Sequence, residues 1–75
     1  MENYNLEKRQ LATGLRRLRK KYNLSQENVA KVLNINRSSY ASYELAKTNI
    51  SIFSLICLFN FYNISFNEFI DICKH

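Results

Sequence analysis

Proline and tryptophan are absent from this 75-residue chain, and glycine occurs once. Without proline no turn can rely on a ring-locked φ, so reversals must come from Asn and Ser, which suit turns with ordinary side chains. A single glycine leaves no glycine-rich loop to cradle a phosphate. Histidine also occurs once, as His75, so only one side chain titrates near neutral pH without a large shift. Two cysteines, Cys57 and Cys73, together with His75 fall short of a metal-ligand set. Each thiol sits in an apolar segment, where it behaves as a small hydrophobe rather than half of a structural disulfide. No nucleophile motif is present. These absences argue against an enzyme and imply no cofactor and no metal.

Long apolar runs are missing too. No stretch reaches the roughly 18 residues a membrane helix needs. The opening "MENYNLEKRQ" carries charges and amides where a secretion signal would be apolar, and a cytoplasmic protein is expected. The length suits one small domain over residues 1–75. A hydrophobic share of 47% suits a folded chain.

What the chain has in excess is positive charge, +5 overall with a pI near 9.5. Lys8, Arg9, Arg16, Arg17, Arg19, Lys20, Lys21, Lys31, Arg37 and Lys47 all precede position 50, and only Lys74 follows it. Such asymmetry points to a polyanionic partner, although charge alone does not separate nucleic acid from an anionic membrane surface.

Strand-like alternation is absent and helical spacing recurs, which predicts an all-α domain of five helices over about 6–22, 25–33, 36–45, 51–62 and 65–74. Leu11, Leu15, Leu18 and Tyr22 share one face of the first, and Asn23 suits a left-handed cap. Ser25 caps the second, which buries Val29, Ala30, Val32 and Leu33 before Asn34. Ser51 caps the fourth, apolar almost all round from Ile52 to Phe61, and Asn63 breaks it. In the fifth, "SFNE" has Ser65 and Glu68 at capping-box spacing.

The third helix, capped by Asn36, decides the function. On a helical wheel Tyr43 and Glu44 fall within roughly 60° of Tyr40, while Ser38 and Ser42 fall nearly opposite. Ser39 and Ala41 flank that outer side, and Arg37 leads it. A major groove about 12 Å wide admits one helix, and serines let its backbone approach the base edges. Arg37 has the fork that pairs with guanine O6 and N7. A short helix, a tight turn and this second helix make a helix-turn-helix.

From "LRRLRKKYN" through "LSQENVAKVLNI", "NRSSYASYE" and "NISIFSLICLFNFYNIS", the chain resembles the XRE family, the helix-turn-helix group of lambda- and 434-type repressors and Cro proteins. The resemblance implies a five-helix lambda-repressor-like fold. It implies base contacts from Arg37, Ser38, Ser39, Ala41 and Ser42. Backbone contacts would come from Gln26, Lys47, Thr48, Asn49 and the basic first helix, Arg16 included. It also implies a partly buried salt bridge between Arg19 and Glu44, where an unpaired carboxylate would be costly.

Two positions depart from the family pattern. Asn34 and Ala46 each stand where glycine is common, and alanine costs about 1 kcal/mol if its φ is positive. The fourth helix differs as well. Phe53, Cys57 and Phe61 step by four along one line, which with Phe66, Ile70 and Cys73 of the fifth helix suggests an exposed apolar surface for a homodimer. Wrapping of that line by Tyr4 and Leu6 is the competing arrangement. The expected function is a sequence-specific transcriptional regulator, repressor-like or controller-type, on a palindromic operator of double-stranded DNA. The alternative is a protein-binding helix-turn-helix module, such as an antitoxin, a regulator antagonist or a phage-encoded inhibitor.

Overall fold

The computed structural model describes residues 4–74, with side chains from position 6 onward, so His75 and the Tyr4 side chain lie outside what is described. Five helices follow one another: α1 (Tyr4–Lys21), α2 (Gln26–Val32), α3 (Arg37–Glu44), α4 (Ile52–Tyr62) and α5 (Phe66–Lys74). No strand occurs among the described residues.

Hydroxyl and amide caps start four of these helices. Ser25, Asn36 and Ser51 accept from the amides of Asn28, Ser39 and Ser54. Ser65 accepts from the Glu68 amide, and Glu68 returns a bond to the Ser65 amide at 2.7 Å. At α2 the same reciprocal box closes with Asn28 in the acidic position, a substitution the expected first turn of Gln26 and Glu27 did not include.

One device ends four helices. Asn23, Asn34, Ala46 and Asn63 have φ between 57° and 60°. In each turn the next amide reaches back five residues, Leu24 to Arg19 O, Ile35 to Ala30 O, Lys47 to Ser42 O and Ile64 to Phe59 O, the 6→1 bond of the Schellman pattern. Leu24, Ile35 and Ile64 pack on the core after making that bond. Lys47 is exposed.

The core gathers Leu15 and Leu18 of α1, Val29 and Ala30 of α2, Tyr40 of α3, Leu58 and Tyr62 of α4, and Phe69 and Cys73 of α5. Tyr22, expected on the buried face of α1, is half out of it and stacks on Tyr62 at 5.4 Å between centroids. Tyr40 and Tyr62 are buried with hydroxyls that find no hydrogen-bond partner. Burial therefore pushes both phenols up, Tyr62 to about 12.

The only glycine is a packing residue. A Cβ on Gly14 would collide with Cys73 Sγ and sit 3.3 Å from both the Cys73 Cα and the Phe69 ring. Helix α5 seats against α1 there, and Arg17 fastens the contact by donating to Ile72 O at 2.9 Å. Cys73 therefore belongs to the core and not to the exposed surface expected of it. Cys57 is half-buried and turned toward Val32 O. Both thiols are free.

Candidate nucleic-acid interface

Helix α3 presents two unlike sides. Tyr40 and Glu44 face inward, with Glu44 only 3% exposed. Arg37, Ser38 and Ser39 are exposed, while Ala41 and Ser42 are half-buried. Ser42 Oγ donates to Ser38 O at 3.1 Å, so its proton is used within the helix and its lone pairs remain available.

A buried carboxylate needs compensation. Arg19 Nε donates to Glu44 Oε2 at 2.7 Å and its Nη2 to Oε1 at 3.0 Å, a two-point pair between α1 and α3. The remaining Arg19 nitrogen donates to Leu24 O at 2.9 Å, tying in the turn before α2. Burial alone would raise the Glu44 carboxyl, but the hydrogen bonds from Arg19 and its neighbours win and hold it below its ordinary value. The same bond raises the Arg19 guanidinium.

The pair does not stop at the core. Gln26 Nε2 donates to Glu44 Oε1 at 3.1 Å, and Gln26 Oε1 in turn accepts from Arg37 Nη1 at 3.1 Å. Four side chains thus form one chain, Arg19, Glu44, Gln26, Arg37, from the buried Glu44 outward to the exposed Arg37. The ion pair fixes which way the Gln26 amide points, and that orientation fixes where the Arg37 guanidinium starts. Arg37 keeps further N–H donors, since a guanidinium has five.

After α3 the amides of Lys47 and Thr48 both turn back to Ser42 O, at 2.9 and 3.5 Å. The side chains of Lys47, Thr48 and Asn49 are all exposed. Arg16 lies beside the same end, its Nη1 donating to Glu44 O at 3.4 Å. Ala46 keeps the left-handed turn, with φ of 60°. The expected penalty is met without any change in the hydrogen bonds of the turn.

The apolar residues expected at an interface are split. Phe53 is 80% exposed, Phe66 is 60% exposed, and Phe61 is partly exposed. Ile70 is half-buried. Leu6, expected in the competing arrangement to wrap this line, is itself exposed, and the Tyr4 side chain lies outside the described residues. Among the described residues, no helix is long and apolar enough to cross a membrane. The links through Gln26 and from Arg17 to Ile72 lay beyond sequence reasoning, because they join residues far apart in the chain by side-chain reach alone.

No curated protein and no solved structure matches the chain significantly. The family model described as helix-turn-helix matches residues 15–69, a span running from the middle of α1 to the core Phe69 and containing the whole Arg19–Glu44–Gln26–Arg37 chain. With that match and this geometry, the chain belongs to the XRE-type helix-turn-helix family, whose members are DNA-binding regulatory domains.

Proposed function

We propose that the protein is a cytoplasmic, sequence-specific transcriptional regulator that sets α3 in the major groove of a palindromic operator. Arg37, Ser38, Ser39, Ala41 and Ser42 meet the base edges. Gln26, Lys47, Thr48, Asn49 and Arg16 meet the sugar-phosphate backbone, which supplies most of the affinity in a salt-dependent way. The observation that carries this reading is the exposed Arg37–Ser39 turn, tethered through Gln26 to a buried ion pair. A preset guanidinium flanked by small hydroxyls suits a close approach to bases.

A homodimer joined through the C-terminal half, with Phe53, Phe61 and Phe66 at its surface, would set two α3 helices about one DNA turn, near 34 Å, apart. Selecting bound sequences from a random DNA pool tests the whole reading. A palindromic consensus is expected. Recovery of no preferred sequence would overturn specificity.

The exposure of Phe53 favours one other reading, a protein-binding module of the antitoxin, antagonist or phage-inhibitor kind. Duplex DNA affinity that ignores salt between about 50 and 200 mM would favour it over the first.

A further inference from the structure

A serine in a major groove is ordinarily an ambiguous reader, because its hydroxyl both donates and accepts and so meets any base edge. Helix α3 carries three serines, Ser38, Ser39 and Ser42, and the structure removes that ambiguity from one of them. Ser42 Oγ lies 3.1 Å from Ser38 O, one helical turn back. A carbonyl oxygen has no proton to give, so the proton in this contact is the hydroxyl's. Ser42 therefore presents lone pairs and no free proton. Ser38 and Ser39 sit in the first turn of α3, with no carbonyl of their own helix four residues behind them, and both stay exposed.

The arrangement holds the proton in place. Ser42 is half-buried, so water competes less for it. The accepting carbonyl belongs to a helix seated by buried Tyr40 and by the two-point pair of Arg19 with Glu44, and it does not swing away. Turning the hydroxyl outward to donate gives up one hydrogen bond in making another. Accepting from a base donor gives up nothing.

Bases differ in what they offer such a group. In the major groove the exocyclic amino groups, N6 of adenine and N4 of cytosine, donate, whereas guanine O6 and N7 and thymine O4 accept. The Ser42 oxygen bonds an amino group, but it meets guanine or thymine lone pair against lone pair. We infer that Ser42 is a specificity-determining residue that selects an amino-bearing base, adenine or cytosine, on the strand it faces. The inference rests on α3 being the groove helix and adds the chemical class of base read at one operator position. Arg37 makes the opposite demand, since a guanidinium only donates and suits guanine O6 and N7. One helix thus has a donor at its start and an acceptor farther along.

The test compares, position by position, the sequences recovered from a random DNA pool by the wild type and by Ser42→Ala. Alanine keeps the helix, being the better helix former, and removes the acceptor. One operator position is expected to prefer adenine or cytosine with the wild type. In the variant it loses that preference or passes to thymine, whose methyl group suits alanine, while the other positions stay as they were. Replacing the selected base by its analogue without the amino group should then weaken wild-type binding roughly three- to tenfold more than it weakens Ser42→Ala, the range of one neutral hydrogen bond. Guanine or thymine at the affected position in the wild-type consensus overturns the inference, because the hydroxyl would then be donating. An identical consensus from both proteins overturns it too, even with a shifted melting temperature, by confining Ser42 to a role within the helix. A wild type that recovers no preferred sequence would instead remove the groove reading on which the inference stands.

Discussion

The two sides of α3 are one helix thick apart and follow opposite rules. Inside, Glu44 is a charge where apolar residues would be expected, and it survives because Arg19 meets it at two points. Outside, Ser38 and Ser39 are small where a solvated helix commonly carries long charged side chains. Each side has what the other should have by simple hydrophobic patterning. The inner charge is there to hold position, and the outer smallness to allow approach. Gln26 joins them.

Substitutions on the two sides should therefore separate stability from binding. Largest is Glu44→Gln, which leaves the partly buried Arg19 without its charged partner and should cost up to about 3 kcal/mol, a large part of a small domain's total stability. Chemical denaturation followed by circular dichroism measures it. Acid probes the same carboxylate. The folded-state pKa of Glu44 lies below the ordinary 4.5, so its contribution is complete above that pH and is lost as pH falls through the folded value. The wild-type melting temperature should decline on acidification below 4.5, and Glu44→Gln should flatten that part of the profile.

On the outer side, Arg37→Ala should leave the melting temperature alone, because its bond to Gln26 is exposed. Cognate DNA binding should weaken by roughly 1–3 kcal/mol, with much less change on mixed-sequence DNA. Equal loss on both would make Arg37 a phosphate contact, which gel shifts on the two duplexes would reveal.

The turns at the ends of α2 and α3 sharpen the comparison on a smaller scale. Asn34 and Ala46 share the same left-handed backbone, with φ of 59° and 60°. Asn tolerates that region better than alanine does. Ala46→Gly should raise stability by about 1 kcal/mol, and Asn34→Gly should raise it by less; a thermal melt of each variant decides. Smallest is Tyr62→Phe, which removes a buried hydroxyl with no partner and should be close to neutral or slightly stabilising in the same assay.

Much of this was legible in the order of residues. The caps at Ser25, Asn36, Ser51 and Ser65 announce helix starts because their side chains bond amides three residues on, a strictly local matter. Asn23 and Asn34 mark left-handed ends for the same reason. The inward set of Tyr40 and Glu44 follows from helical period alone. Less legible was whatever depends on helices meeting. Gly14 could be understood only once Cys73 was found against it, and that contact withdrew Cys73 from the exposed surface. Tyr22 has the spacing of a core residue, yet it falls just past the end of α1 and stays 45% exposed.

The most direct test is an amide chemical-shift titration with the DNA that the selection recovers. The largest changes should fall on Arg37 to Ser42, on Gln26 and on Lys47 to Asn49, with little at the buried Phe69 and Cys73 of α5. Changes gathered around Phe53, Phe61 and Phe66, with the start of α3 unmoved, would contradict α3 as the element that reads DNA.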